Sequence, residues 1–424
     1  AFGDTITSSA VGHSVHMTVV GLAPDTWYWY RFQAGGFTSP AGRARTTPAA
    51  GATPNAPLRL ATASCQDYQD GFYAAHRDIA EHAPDVLAFL GDFIYEEAFL
   101  GADNPAYVRH HDTPEPKTLD DYRARYAQYL SDPQLRASRA VCPWMVIWDD
   151  HEVENNYAGL VPQDPAEAAT FAERRAAAYQ AWWEHMPVRL PQPDGTADYQ
   201  MYRTIDWGGL IRFVLLDGRQ YRSDQACGDV ALSLDPACPE TFDAARTMLG
   251  DTQEQWLYDQ LDSSGAVWNA ITQQVILSDA MVNGAVLNYD MWDGYPAERA
   301  RILQHLADHD TRNPVVLTGD IHFAGVADLR APGGPDAPLV GVEFVTSSIS
   351  SAGLIDDSLT PVVETLNDII AVELAHRGWT LHTVDPAGWT AEIRIVTDVK
   401  NPDSTVVPWR SYAVADGVHE VRPL

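Results

Sequence analysis

The sequence predicts an α/β fold, in which a layered β-sheet core with flanking α-helices follows a small all-β domain. Residues 1–50 alternate polar and apolar side chains with the period of two that is typical of strands. From residue 57 onward, short apolar runs alternate with segments of helical spacing, which is typical of sheet strands joined by helices. The Pro-, Ala- and Gly-rich segment 48–56 reads as a linker. We therefore predict domains at 1–50 and 57–424.

The elements of the larger domain can be assigned in chain order. Strands are expected at 58–65 and 86–95, and the helical segment 71–82 joins them into a strand–helix–strand unit. Further helices are expected at 119–130, 165–185, 252–261 and 295–305. Further strands are expected at 145–152, 209–216, 266–277, 315–318 and 342–346, and from residue 380 to the end of the chain.

Composition and charge exclude several classes of protein. The chain has 424 residues, is 46% hydrophobic and 20% charged, and carries a formal net charge of −30. Such an acidic surface repels phosphate backbones, so no stable nucleic-acid complex is expected. No apolar run reaches the roughly 18 residues that a transmembrane helix needs. The first ten residues, AFGDTITSSA, show neither the basic n-region nor the apolar h-region of a signal peptide.

Four apolar runs end in residue types that bind metal ions. They are 58–65 (LRLATASC), 86–95 (VLAFLGDFIY), 145–152 (MVIWDDHE) and 315–322 (VVLTGDIH). In an open α/β sheet, ligands bind just beyond the carboxyl ends of the strands. Taken as consecutive strands of one sheet, these four runs predict a single polynuclear metal site.

The residue types indicate which ions the site would hold. The Cys65 thiolate suits iron or zinc, and the two carboxylate oxygens of Asp92 can bridge two cations. Tyr95 lies three residues further on, and its phenolate requires a hard trivalent ion such as Fe(III). Asp320 and His322 are two apart on an extended segment, so both side chains can face the same site.

A third loop adds oxygen donors. It contains Asp149, Asp150, His151 and Glu152, followed by Asn155 and Asn156. Taken alone, the aspartates are also typical of a helix N-cap, and His322 of a hydrogen-bonded core histidine. The coincidence of four such strand ends favours the metal site.

The order of these motifs resembles that of the calcineurin-like metallophosphoesterases. The variants ATASCQ, FLGDFIYEE, WDDHEVENNYAG and LTGDIHFAG resemble those of the PhoD-like alkaline phosphatase/phospholipase D family, and residues 1–50 resemble its N-terminal immunoglobulin-like domain. The resemblance covers nearly the whole chain. It implies a metal-dependent hydrolase of phosphate esters that uses a metal-bound hydroxide. Its substrates would be monoesters, with diesters as the alternative, and it would release inorganic phosphate.

The resemblance also implies Fe(3+) and Ca(2+) as cofactors. Carried over by motif, Cys65, Asp92, Tyr95 and His322 would hold the iron. Asp92 would also bridge to calcium, whose further ligands would be Asp150, Asn156 and Asp320. The choices between Asp149 and Asp150 and between Asn155 and Asn156 stay open, with Asp150 preferred because DHE aligns with the Asn-His-Glu block of the wider superfamily. His151 would then stand near the leaving-group oxygen.

Two further groups have two interpretations each, and a third segment departs from the family pattern. Arg219 in DGRQYR is a candidate phosphate clamp, because a guanidinium binds two phosphate oxygens at once, but it can equally pair with Asp217. Asp290, Trp292 and Tyr295 either wall the substrate pocket or pack in the core. The late Asn-Pro-His-like segment of the family has no clear match, and Asn367 and Asp368 stand in its place.

Cys227 and Cys238 lie eleven positions apart in a polar loop, which favours a disulfide in an oxidising compartment. Together with the family resemblance, this predicts a secreted, periplasmic or cell-surface protein.

The motifs of serine hydrolases, P-loop NTPases and zincins are missing from the sequence. Two alternatives remain: a phosphodiesterase or phospholipase D, and a non-catalytic calcium-stabilised binding protein, which would not need Cys65 or Tyr95. The sequence predicts no oligomeric state.

Overall fold

The computed structural model describes residues 3–54, 56–97, 106–230, 235–282, 284–366 and 368–424. The N-terminal region contains four short strands: β1 (Trp27–Tyr30), β2 (Gln33–Ala34), β3 (Phe37–Thr38) and β4 (Gly42–Arg45). β1 pairs antiparallel with β4, and β2 with β3. The region is therefore all-β, as predicted. Its described residues form two two-stranded ribbons, and the immunoglobulin-like sandwich stays a prediction.

The larger part of the chain alternates strands and helices. Its strands are β5 (Leu58–Ala63), β6 (Val86–Phe89), β7 (Trp144–Val146), β8 (Arg203–Trp207), β9 (Ile211–Leu215), β10 (Trp268–Thr272), β11 (Pro314–Thr318), β12 (Ala324–Arg330), β13 (Leu339–Val345), β14 (Ile369–Glu373), β15 (Arg377–Val384), β16 (Gly388–Val396), β17 (Val406–Ala415) and β18 (Arg422–Pro423). Its helices are α1 (Ala74–His82), α2 (Leu119–Leu130), α3 (Pro133–Val141), α4 (Phe171–His185), α5 (Gly250–Asp262), α6 (Pro296–Asp308) and α7 (Thr360–Val363).

Local sequence explains most of these elements. β6 and β11 are buried along their whole length, so their sequences VLAF and PVVLT are almost continuously apolar. α2 begins at a capping box in which Thr118 and Asp121 exchange side-chain and backbone hydrogen bonds. α3 begins at Asp132, whose carboxylate caps the first turn, with proline at the first helical position.

In the described part of the chain, the larger strands form two seven-stranded sheets. Their orders are β18-β17-β16-β15-β5-β6-β7 and β14-β12-β13-β11-β10-β9-β8. One large core contains buried residues of both sheets, and the Thr62 and Thr346 hydroxyl oxygens lie 2.6 Å apart between them. A second core joins β9, β10 and β11 to α5 and α6. This confirms the predicted layered α/β architecture. No described helix combines the length and apolarity needed to cross a bilayer.

The structure corrects the expectation that the four metal-binding runs are consecutive strands of one sheet. β5, β6 and β7 are parallel neighbours in the first sheet, but β11 belongs to the second sheet. The runs meet because the two sheets stack face to face, which no strand sequence reveals. α4 begins at Phe171 rather than at residue 165. The elements that were not predicted are β8, β12, β14, α3 and α7. β8 is mostly half-exposed, which weakens its apolar pattern.

His382 on β15 makes the stability of the fold depend on pH. The Trp389 indole N–H donates to His382 Nδ1 at 3.0 Å, and an indole can only donate, so the buried ring is neutral. Burial lowers the pKa of His382 to about 3, whereas an unfolded histidine titrates near pH 6.5. Its contribution to the free energy of unfolding is therefore complete above about pH 6.5 and decreases as the pH falls towards 3. Urea unfolding at pH 7 and pH 4.5 measures the decrease.

The matched variants are His382→Gln and His110→Gln, whose parent residue is exposed. Loss of part of the pH dependence is expected only in His382→Gln. The same pH dependence in both variants and the wild type would contradict the assignment.

Candidate metal centre

The structure brings the predicted ligands together at one rim of the stacked sheets. Thiol, carboxylate and imidazole ligand atoms of Cys65, Asp92 and His322 all lie within 4.8 Å of one another. A second group contains one carboxylate oxygen from each of Asp92, Asp149, Asp150 and Asp320. These four oxygens also lie within 4.8 Å of one another. Asp92 belongs to both groups, so the two groups share a corner.

The backbone is strained where these residues are held. Positive φ angles occur at Cys65 (56°), Asp92 (58°) and His322 (63°), as well as at Asn156 (53°) and Asp320 (64°). Non-glycine residues seldom adopt this conformation, and it persists only where the surrounding structure fixes it, commonly at functional sites. Gly91 allows the close approach of the two neighbouring loops, because a Cβ there would lie 2.5 Å from the Cβ of Asp149.

Cys65, Asp92, Tyr95 and His322 form the first donor set. The Tyr95 hydroxyl oxygen lies 3.1 Å from Asp92 Oδ2 and 3.0 Å from His322 Nε2. His322 Nδ1–H donates to the Ala352 carbonyl oxygen at 2.6 Å, which leaves the Nε2 lone pair directed at the cluster. Burial lowers the pKa of His322 to about 3, so the imidazole is neutral and able to coordinate a metal.

The second donor set is a buried group of carboxylates. Asp92 Oδ1, Asp149 Oδ2 and Asp150 Oδ1 are buried and have no hydrogen-bond partner among the described residues. Burial, followed by the charges of Asp150 and Asp149, raises the pKa of Asp92 well above its usual value. Burial and then Asp149 raise the pKa of Asp320 in the same way. Buried oxygens of like charge without partners are costly, and bound cations remove that cost. Both donor sets therefore fit metal ions.

Arg219 lies against this carboxylate group. Its buried guanidinium pairs with Asp149 and, at 2.7 Å, with Asp290, while Nη2 lies 3.4 Å from both Asp150 and Asp320. The only hydrogen bond from Arg219 to the Asp217 carboxylate comes from the Arg219 backbone N–H, at 3.1 Å. The side-chain pair with Asp217 is therefore wrong. The clamp on phosphate stays a prediction, and the contacts observed are those of a counter-charge to the carboxylates.

Glu152 and Glu96 hold the site together. Glu152 was expected only as one of several oxygen donors, and no role was predicted for Glu96. Glu152 accepts the backbone N–H groups of Asp92 at 3.0 Å and Asp149 at 2.7 Å, and so joins the loops after β6 and β7. Glu96 accepts from the Asn155 backbone N–H and lies 2.7 Å from His151 Nδ1. The available signals were the acidic neighbours of two predicted ligands in FIYEE and DHE.

His151 lies beside the first donor set, with its ring stacked on Tyr95 at a centroid distance of 4.0 Å. Burial lowers the pKa of His151, but Glu96, Asp150 and Asp92 outweigh it and raise the value well above normal. Glu96 holds the ring through Nδ1, so the imidazole is oriented at the edge of the cluster, where it can act as a proton donor.

Asn156 contacts the carboxylate group through its backbone. Its N–H donates to Asp150 Oδ2 at 2.7 Å, while its side-chain amide donates to Asp229 at 2.8 Å. The Asn155 backbone instead donates to Glu96. The geometry therefore favours Asn156 over Asn155 as the residue next to Asp150.

Other expectations have mixed outcomes. Trp292 and Tyr295 are buried core residues, so they do not wall a pocket, and Asp290 is bound by Arg219 and Arg222. Asp368 pairs with Arg330 on β12, and Asn367 lies outside the described residues. The predicted disulfide between Cys227 and Cys238 is confirmed.

Two stacked sheets with buried carboxylate, imidazole, phenol and thiol donors at one rim define a layered α/β protein with a candidate metal centre. The structure is similar to a solved structure of PhoD, with a TM-score of 0.92 and 38% identity over 98% of this chain and 80% of that one. A purple acid phosphatase, PPD1 from yellow lupin seeds, has a TM-score of 0.57 and 13% identity over 93% of this chain and 60% of its own, which shows a shared fold.

Sequence relatives identify the family. Alkaline phosphatase D of Bacillus subtilis (strain 168) is 39% identical over 415 residues, which are 95% of this chain and 70% of that protein. Residues 60–393 match the PhoD-like phosphatase family, and residues 1–48 match the PhoD-like phosphatase N-terminal domain. The chain belongs to the PhoD-like phosphatase family. It is a hydrolase of phosphate esters, as predicted, and the non-catalytic alternative falls away.

Proposed function

We propose that this chain hydrolyses phosphate monoesters at a mixed site that holds Fe(3+) beside Ca(2+). The observation that carries the proposal is the pair of buried donor sets that share Asp92. One set offers thiol, phenol and imidazole donors, and the other offers only carboxylates. Two chemically different sets favour two different ions at neighbouring positions.

The first set suits iron. Cys65, Tyr95 and His322 supply sulfur, oxygen and nitrogen donors, and Asp92 supplies a carboxylate. Burial and the nearby Asp92 raise the pKa of both Tyr95 and Cys65 well above normal. Divalent ions such as zinc also bind thiolates, but a phenolate is a good ligand only for a hard trivalent ion, so Tyr95 favours Fe(3+).

The second set suits calcium. Ca(2+) takes six to eight oxygen ligands in a loose geometry. Asp92, Asp149, Asp150 and Asp320 supply four carboxylates from three loops, and Asn156 adjoins Asp150. Since Asp149 and Asp150 both present a buried oxygen that accepts no hydrogen bond from a described residue, we assign both to this set.

Bound ions would supply a water that is deprotonated at neutral pH and positive charge for the phosphoryl oxygens. Glu152 and Glu96 hold the ligand loops and the His151 ring in place. Protonated His151 donates its proton to the leaving-group oxygen. Arg219 offsets part of the negative charge of the carboxylates.

We also propose a secreted, periplasmic or cell-surface location, because the Cys227–Cys238 disulfide requires an oxidising compartment.

Removing calcium is expected to abolish hydrolysis reversibly. Without the ion, the buried carboxylates repel one another and the phosphoryl charge has no counter-charge. Turnover of an aryl phosphate should fall to background after EGTA treatment and return when Ca(2+) is added, whereas Mg(2+) should restore it poorly because it requires strict octahedral geometry. Full turnover in calcium-free protein would remove calcium from the proposal.

Tyr95→Phe is expected to weaken or shift a visible charge-transfer band, because the band arises from an Fe(3+)–phenolate bond. Absorption spectra and elemental analysis of the wild type and the variant check this. The control is Tyr28→Phe in the N-terminal region, which should keep the colour unchanged. A colourless, fully active protein without iron would refute the iron assignment.

Matched monoester and diester substrates with the same leaving group separate the two substrate classes. Preferred hydrolysis of the monoester is expected. A higher kcat/KM for the diester would favour a phosphodiesterase.

A further inference from the structure

A second group of metal-binding side chains lies outside the catalytic rim. Asp262 is the last residue of α5, and His305 and His309 lie one turn apart at the end of α6. Asp262 Oδ1 is 2.9 Å from His305 Nε2 and 2.9 Å from His309 Nδ1. Two ring nitrogens from successive turns of one helix thus converge on a single carboxylate oxygen of another helix.

The rings are held in orientations that suit coordination. His305 stacks between Tyr258, at a centroid distance of 4.1 Å, and His309, at 3.9 Å. The His305 side chain is 11% exposed, whereas Asp262 and His309 are 40% and 47% exposed. The site is therefore preformed on its inner side and open to solvent on its outer side, where water can complete the coordination.

The donor set indicates the class of ion. Two imidazoles and one carboxylate suit zinc and its neighbours in the transition series, whereas calcium and magnesium prefer oxygen ligands. Zinc binds nitrogen and oxygen at about 2.0–2.2 Å, so neighbouring ligand atoms lie roughly 3.3 Å apart in a tetrahedral site. The observed separations of 2.9 Å require only a small outward movement to reach this spacing.

The group is separate from the catalytic centre. α5 and α6 lead into β10 and β11, so their C-terminal ends lie at the edge where these parallel strands begin. Asp320 and His322 follow the other end of β11. The five residues of β11 span roughly 16 Å, so the two sites lie at opposite ends of this strand.

We propose that Asp262, His305 and His309 form a binding site for a divalent transition-metal ion of the zinc type, which cross-links α5 to α6. The ion acts as a structural staple between the two helices, because all three ligands are provided by their C-terminal ends. The site is independent of phosphate-ester hydrolysis.

Cobalt binding tests the site directly. Chelator-stripped wild type is titrated with Co(2+), and the visible absorption of the bound ion and the metal content are measured. The His305→Ala/His309→Ala double variant is expected to bind one Co(2+) fewer than the wild type. Gln304→Ala, an exposed residue of the same helix, serves as the control and should bind as the wild type does. The same stoichiometry and spectrum in all three proteins would overturn the proposal.

Thermal unfolding tests the cross-link. Zn(2+) should raise the Tm of the wild type and of Gln304→Ala by at least about 2 °C more than that of the double variant. An equal rise in all three would overturn the staple. Hydrolysis of an aryl phosphate by the double variant, with its catalytic ions present, should stay at the wild-type rate. This assay keeps a failure at the second site distinct from a failure of the proposed catalytic ions.

Discussion

Asp92→Asn is expected to lower kcat/KM for phosphate-ester hydrolysis by at least about a thousandfold, because Asp92 belongs to both donor sets. The substitution keeps the size of the side chain but removes the charge that both ions would share. Loss of one neutral donor that stabilises a transition state already costs about 10²–10³-fold in many enzymes. Steady-state kinetics, with elemental analysis of the purified protein, measure the effect.

The control for Asp92→Asn is Asp194→Asn, which makes the same change at an exposed position. It should retain wild-type activity and metal content. An Asp92→Asn protein that keeps its metal ions and stays within tenfold of wild-type kcat/KM would contradict the shared-ligand role.

Arg219→Met is expected to destabilise the protein by about 3–5 kcal/mol after EGTA has removed calcium. Removing one partner of a buried charge network leaves the other charges uncompensated. Asp149 and Asp290 would each lose a direct ion pair, and Asp150 and Asp320 a nearby positive charge. Calcium should restore part of the loss, since it neutralises some of the same carboxylates. Urea unfolding in EGTA and in Ca(2+) measures both free energies.

Arg212→Met provides the matched control. Arg212 pairs with Asp206 at the surface, where an ion pair contributes only about 0–1 kcal/mol. In EGTA, Arg219→Met should lower the free energy of unfolding clearly more than Arg212→Met does. Equal destabilisation of the two variants would show that Arg219 does not act as the counter-charge of the carboxylate group.

The residues that meet in the candidate metal centre could be predicted from sequence because the signal is local. Each ligand follows an apolar run that is buried along its length, and such runs are recognisable without a structure. The linkage between the ligands was only partly predictable. Glu152 bonds to the backbone of Asp92, sixty positions away, and backbone hydrogen bonds leave no residue-type signature.

The role of Arg219 shows a second limit. Its sequence neighbour Asp217 suggested a local pair, but the side chain contacts Asp149 and Asp290, about seventy positions away in each direction. Trp292 and Tyr295 likewise belong to the core, although the sequence also allowed them to wall the substrate pocket. Aromatic residues have the same sequence pattern in a pocket wall and in a core.

Sequence by itself determined the fold class, the disulfide and the side chains that meet in the candidate metal centre, because burial patterns and donor types are properties of short segments. Tertiary structure alone decided that β11 lies in the opposite sheet and that its loop still meets those of β5, β6 and β7. It also decided that Asp262 meets two histidines of another helix. The physical reason is that sheet stacking and helix packing depend on the summed burial of the whole chain, which no single segment encodes.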